Sequence, residues 1–311
     1  MYVPLWRKIT GRIYGAQMCD VLKAAFLLIK HCDKTAFDCF CCALRIYILG
    51  AHSNNGLMDR LGILSSKLDE NGHVSVGKFR FVYDKNFIIS LRRDGDDTLG
   101  EYILSRDLDE YYRNFDGEGP YEIEEVRLHP NDIVVDAGAN QGVFSLLAAA
   151  KNAKCVYAFE PMPNVRKILE KNINLNGYNN IIKIVPLGLR AENGAQVISS
   201  SEEMVGSASF VFTGQGTNTS VECVTLDDWV KENDIPRVDF IKADIEGSER
   251  DLLAGAGETL RRFKPRLAIC TYHLPDDPQV LKSLIKDAVP EYKVIQKRKK
   301  LFAYVPDPEN E

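Results

Sequence analysis

Ile133-Val-Val-Asp136-Ala-Gly138-Ala-Asn140-Gln-Gly142 is the stretch on which the fold turns. A short apolar run ends in an acid, two glycines follow, and Val143–Ala150 then reads as a helix. Strand, tight turn and helix in that order are the opening of a βαβ unit. Downstream, Cys155-Val-Tyr-Ala-Phe159 is a second run closed by an acid, Glu160, and residues 165–176 have helical spacing. Residues 181–189 form a third run. Strands alternating with helices at this density predict a parallel sheet with crossover helices.

The alternation resumes with a strand over 238–244, a helix over 247–256 and a strand over 267–273. Extra β structure is expected at 196–199, 208–212 and 221–226, and an antiparallel hairpin at 292–296 and 301–305. The fold class is therefore α/β: a Rossmann-like, mostly parallel sheet with an antiparallel C-terminal hairpin. Upstream, Val21, Ala24, Ala25 and Leu28, then Phe37, Phe40, Leu44 and Ile48, mark one or two amphipathic helices. Residues 73–83 alternate polar and apolar, Asp84-Lys85-Asn86 makes a turn, and 87–91 returns as the second arm of a hairpin. A short helix and loop are expected over 102–121. The chain divides into an extension, 1–115, and a main domain, 116–311.

Composition narrows the function classes. Of 311 residues 45% are apolar and 27% charged, an ordinary globular balance. With 44 acids against 39 bases the net charge is −5, which argues against a nucleic-acid partner. Residues 39–51 are the longest apolar stretch, and Arg45 breaks them well short of the ~20 residues of a membrane span. Arg7, Lys8 and Arg12 are followed by no apolar signal core, so a cytoplasmic protein is expected, its 8 cysteines reading as buried thiols. Cys39, Cys41 and Cys42, with His31 and Cys32, fit an apolar helix face better than a zinc or iron–sulfur centre. Lys297-Arg-Lys-Lys300 reads as the solvated tip of the terminal hairpin.

In open parallel sheets ligands bind beyond the carboxyl ends of the strands. The residues expected there are Asp136, Glu160, Leu189, Asp244 and His273. Gly138 and Gly142 allow close approach to the backbone, and the helix that follows offers free N–H groups to an anion. Glu160 is placed to accept hydrogen bonds from ribose hydroxyls. Together with Asp136 and Asn140 these residues predict a nucleoside carrying an anionic group. The dinucleotide fingerprint needs glycine at 140 and 143, where this chain has Asn140 and Val143. A nicotinamide-dependent oxidoreductase is thus the weaker reading, and S-adenosylmethionine the better fit. The same fold serving only as a binding module would be expected to lose its strand-end acids, and Asp136, Glu160 and Asp244 are present.

Asp244 and Glu246 fall where a transferred group would lie. Either could accept a hydroxyl proton or hold a divalent cation, though with Glu249 they could also cap the following helix. His273 is a candidate general base. Thr225 or Asp227, in Thr-Leu-Asp-Asp-Trp229, reads as a helix cap.

Val134-Val-Asp-Ala-Gly-Ala-Asn-Gln-Gly142, Phe159-Glu-Pro161, Thr225-Leu-Asp-Asp228 and Asp239-Phe-Ile-Lys-Ala-Asp-Ile-Glu-Gly247, continued by Glu249, Leu253 and Gly255-Ala256, resemble the FkbM family of S-adenosylmethionine-dependent methyltransferases. The resemblance runs over residues 118–275. It implies the seven-stranded methyltransferase variant of the Rossmann sheet and O-methylation of a small molecule, sugar or glycan. One departure is Gly188-Leu189-Arg190, where the family often has a small residue and then an acid, and here Glu192 follows later. Residues 1–115 resemble no part of the family. They are expected either to shape the acceptor pocket as a lid or to pair two subunits through their helices.

Overall fold

The computed structural model describes residues 73–76, 79–82, 121–200 and 217–306. The helices expected over 16–50, the cysteines among them, the strand over 87–91, the segment 102–120 and the strand over 208–212 lie outside the described residues. In chain order the strands are β1 (His73–Val76), β2 (Phe79–Val82), β3 (Ile133–Ala137), β4 (Cys155–Phe159), β5 (Ile182–Val185) and β6 (Gly188–Leu189). They continue as β7 (Gly194–Ser200), β8 (Thr217–Val224), β9 (Phe240–Ala243), β10 (Arg266–Cys270), β11 (Lys293–Lys297) and β12 (Lys300–Tyr304). The helices are α1 (Val143–Ala150), α2 (Pro163–Asn176), α3 (Leu226–Glu232), α4 (Glu249–Ala254), α5 (Gly257–Phe263) and α6 (Asp277–Ala288).

Seven strands form the central sheet in the order β11-β12-β10-β9-β3-β4-β5. The strands from β10 through β5 are parallel, and β12 runs antiparallel to both β10 and β11. From β3 the chain builds β4 and β5 on one side, then returns to add β9 and β10 on the other. The order therefore reverses between β3 and β9, the switch point beyond whose carboxyl ends open α/β sheets bind their ligands.

Helices cover both faces, which is why β3 is buried along its whole length. Val134 packs with Phe144 and Leu146 of α1, Leu169 and Ile173 of α2, and Phe79 and Phe81 of β2. Ile133, Val135 and Ala137 point the other way, toward Leu226 and Trp229 of α3, Leu252 of α4, Leu260 of α5 and Leu281 of α6. Each such fully buried large side chain contributes roughly 1.5–3 kcal/mol.

Three local expectations change. The run over 181–189 is not one strand: Pro186 has no N–H to donate, so the ladder of β5 stops at Val185. Leu189 accordingly leaves the main sheet. Its strand, β6, joins β8 and β7 in a separate three-stranded sheet. Second, the amino-terminal hairpin is tighter than its alternation suggests: β1 and β2 pair from His73↔Val82 to Val76↔Phe79, so both arms lie within 73–83. Gly77-Lys78 between them is a two-residue hairpin signal of the Gly-X kind. Third, the helix expected over 247–256 is shorter, α4 spanning Glu249–Ala254 and ending at Gly255, and a further helix, α5, follows from Gly257. A Cβ at Gly255 would stand 2.3 Å from the carbonyl oxygen of Arg190, so that close approach admits only glycine.

Candidate active site

The turn after β3 folds back sharply, with φ of +74° at Gly138, +49° at Asn140 and +89° at Gly142. Gly138 and Ala139 both donate to the carbonyl of Phe159, which ties the turn to the end of β4. A Cβ on Gly138 would lie 2.0 Å from the carbonyl oxygen of Asp244, so β3 and β9 meet there without room for a side chain. Gly138→Ala is therefore expected to cost more than about 3 kcal/mol in denaturant unfolding. Gly177→Ala, also at positive φ but with nothing within 4 Å, is expected to cost only about 1 kcal/mol.

Beneath the turn Asp136 is fully buried. It accepts the Ser145 hydroxyl of α1 at 2.6 Å and pairs with Lys242 of β9 at 3.1 Å. The Lys242 ammonium also donates to the Gly138 carbonyl at 2.7 Å. Asp136 thus braces the turn from below. Both partners lie on the same face because Asp136 and Lys242 are opposite one another in register.

Above the turn, Glu160 is buried, and each of its oxygens faces an N–H: Asn140 at 3.0 Å and Met162 at 2.9 Å. Burial pushes its carboxyl up to about 7, against the pull of those two N–H groups, Lys242 and Arg166. The side-chain oxygens of Asn140 and Gln141 are buried beside it without a hydrogen-bond donor. No side chain caps the amino terminus of α1. These groups form an acceptor-rich cradle next to free helix N–H groups, which suits a ligand bearing hydroxyls, an ammonium and a carboxylate.

The pKa of Glu160 has a consequence for stability. Its folded value lies above the usual 4.5. Its contribution is therefore fully present below pH 4.5 and lost as pH rises through about 7. Relative to Glu160→Gln, the ligand-free wild type is expected to lose about 3 kcal/mol across that window. Urea unfolding of both proteins at several pH values measures it.

The second pole lies past β9 and β10. Asp244 follows β9 directly. It accepts the Tyr121 hydroxyl at 2.6 Å and the Tyr272 hydroxyl at 3.2 Å. Burial alone would raise its carboxyl, but Lys242, His273, Tyr121 and Lys300 outweigh that and hold it below the usual range. His273 sits beyond β10 among three carboxylates, 3.0 Å from Glu249 and 3.6 Å from both Asp244 and Glu246. Burial alone would lower the imidazole, yet Glu249, Asp244 and Glu246 raise it to about 9. Glu249 does not cap α4, whose amino terminus has no side-chain cap; as the first residue of that helix it reaches back to accept the N–H groups of Ile245 and Gly247, shaping the loop that presents Asp244 and Glu246. Glu246 itself is held at φ +52°, a conformation few non-glycine residues adopt. Asp244, Glu249 and His273 each offer one atom within 4.8 Å of the others and could hold a metal ion.

The structure therefore groups Gly138, Asn140, Gly142 and Glu160 at one pole and Asp244, Glu246 and His273 at the other, with Asp136 underneath. Sequence reasoning misses Tyr121, Tyr272 and Lys242. Lys242 has a signal, a lysine inside an apolar strand, whereas Tyr121 reaches Asp244 from a loop with none. Arg190 pairs with Asp251 and donates to Ser248, just before α4. The cap readings divide between two helices: Thr225 caps α3, and Asp227 accepts from Glu258 and Thr259 at the start of α5. Lys300 departs from a solvated hairpin tip, being fully buried over the Tyr121 ring at 4.3 Å.

A family profile described as the methyltransferase FkbM domain matches residues 136–293. The chain is 26% identical over 194 residues to the methyltransferase sdnD of Sordaria araneosa, covering 52% of this chain and 74% of that protein. It is 23% identical over 186 residues to the hexuronic acid methyltransferase AglP of Haloferax volcanii, covering 58% and 74%. The crystal structure of methyltransferase FkbM from Methylobacillus flagellatus KT is similar with a TM-score of 0.47 at 20% identity. That match covers 71% of this chain and 55% of the crystallised one. Among the described residues no helix is long and apolar enough to cross a membrane.

Proposed function

We propose, on the premise that the chain belongs to the FkbM methyltransferase family, that it moves a methyl group from S-adenosylmethionine to a hydroxyl of a small molecule, sugar or glycan. The observation that carries this reading is the buried Glu160 carboxylate facing the Gly138–Gly142 turn, with the unpaired amide oxygens of Asn140 and Gln141 beside it. When bound, S-adenosylmethionine would supply an electrophilic methyl carbon, whose leaving group, the neutral thioether of S-adenosylhomocysteine, needs no acid assistance. Glu160 would hold the ribose hydroxyls, and the open amino terminus of α1 would receive the carboxylate. Asp136 and Lys242 keep the turn in place from beneath.

Asp244 would take up the proton of the acceptor hydroxyl. Tyr121, Tyr272, Lys242 and His273 hold it as an anion for that task. The charged His273 ring is a poor base at neutral pH, so its part is to orient Asp244 and Glu246. AglP acts on a hexuronic acid, which makes uronic-acid sugars the first acceptors to try. A nicotinamide cofactor has no support from the family match. Cys155, Cys223 and Cys270 are buried, which suits the cytoplasmic setting we infer.

The test is transfer of labelled methyl from S-adenosylmethionine to a panel of glycans, uronic acids, lipids and small alcohols. Label in at least one hydroxyl-bearing acceptor supports the reading. Donor binding with no transfer to any of them would favour a binding module instead.

A further inference from the structure

Asn172 of α2 is fully buried, and every polar atom of its side chain is committed. Its Nδ2 donates to the carbonyl of Gln141, in the turn after β3, at 2.9 Å. Its Oδ1 accepts the N–H of Val82, on β2, at 2.8 Å. One turn along the helix, Asn176 accepts the N–H of Arg80 at 2.9 Å and donates to the Arg80 carbonyl at 2.6 Å. The Arg80 guanidinium also donates to the carbonyl of Leu175.

The spacing accounts for this fit. Residues four apart on a helix are separated by about 6 Å along its axis, and residues two apart on a strand by roughly 6.6 Å. Asn172 and Asn176 therefore reach alternate residues along the edge of β2 that β1 leaves unpaired. A carboxamide has distinct donor and acceptor ends. With Oδ1 on the Val82 N–H, Nδ2 must face Gln141, and a flipped amide would set donor against donor and acceptor against acceptor. The Gln141–Gly142 peptide is then gripped at both ends, since the Gly142 N–H donates to Ala139 at 2.8 Å. Leu169, three residues before Asn172, closes the other side: a Cβ on Gly142 would stand 2.5 Å from it.

We propose that Asn172 is a positioning residue of the donor site, and that the β1–β2 hairpin sets donor affinity through it. This rests on the reading that S-adenosylmethionine lies over the Gly138–Gly142 turn. A docked hairpin fixes the Asn172 amide, the amide fixes the Gln141 peptide, and that peptide adjoins the Asn140 N–H on which Glu160 is seated. Part of the amino-terminal extension thereby belongs to the donor site without touching the donor.

Titration calorimetry with S-adenosylhomocysteine on the full chain tests it, using Asn172→Asp, Asn172→Ala, Asn176→Ala and the double alanine variant. Asn172→Asp keeps an acceptor for Val82 but turns a carboxylate oxygen toward the Gln141 carbonyl. It should weaken binding about tenfold or more, with kcat at saturating donor within about twofold of wild type. Asn176→Ala loosens the hairpin without touching the turn. It should weaken binding severalfold in the wild type and not at all in the Asn172→Ala background. Should Asn172→Asp fail to fold, the alanine cycle still decides. Wild-type affinity in Asn172→Asp, or an equal effect of Asn176→Ala in both backgrounds, overturns the proposal. A wild type that binds no S-adenosylhomocysteine would instead overturn the donor-site reading beneath it.

Discussion

Glu160→Ala should lower the affinity for S-adenosylmethionine roughly a hundredfold at pH 8, the largest effect expected of any single change at the donor pole. Hydrogen bonds to a charged group contribute about 1.5–3 kcal/mol each, and a ribose offers two hydroxyls to this carboxylate. A loss of about 3 kcal/mol corresponds to a factor of about a hundred in Kd. The pH matters because the carboxyl titrates near 7 in the free protein, so the wild type binds more weakly on the acid side of that value. Steady-state kinetics should show KM for the donor rising far more than kcat falls, the signature of lost ground-state binding. The variant should remain folded, since the substitution removes a carboxylate that burial makes costly to ionise. An unchanged Kd would remove Glu160 from the donor site.

Asp244→Asn should lower kcat by about 10²–10⁴, the range ascribed to a positioned acid or base, and leave the donor Kd within about threefold. Asparagine keeps one oxygen for Tyr121 or Tyr272 but cannot take up a proton. The backbone carbonyl of residue 244, which packs on Gly138, is unaffected by the exchange. Because the charges around Asp244 hold its carboxyl below the usual range, the wild-type rate should persist on the acid side of neutrality at saturating donor. Tyr121→Phe removes the 2.6 Å hydrogen bond and should move that acid limb upward while leaving kcat at pH 8 within a few-fold. A near-normal kcat in Asp244→Asn would give the proton to another group.

The parts of the site that follow a strand directly are legible in the sequence. An apolar run that ends in an acid places Asp136, Glu160 and Asp244 at the carboxyl edge from chain periodicity alone, and the structure puts them there. What periodicity does not carry is the direction of each side chain. Asp136 points down to Ser145 and Lys242, while Glu160 points across to Asn140. Tyr121 lay out of reach of such reasoning, since it meets Asp244 from a loop 123 residues earlier in the chain. The end of β5 was within reach, because Pro186 cannot donate to a ladder, yet the apolar residues around it mask the break. Asn172 gave no hint at all: an asparagine on a helix reads as a solvent-facing residue until β2 and the Gln141 carbonyl are placed on either side of it.

S-adenosylmethionine is expected beyond the carboxyl ends of β3, β4 and β9, with its methyl group directed at Asp244. A crystal structure grown with S-adenosylhomocysteine tests this placement most directly. The ribose hydroxyls should lie within hydrogen-bonding distance of Glu160, the carboxylate at the start of α1, and the sulfur on the Asp244 side. A ligand bound elsewhere on the chain, or one whose ribose avoids Glu160, would contradict it.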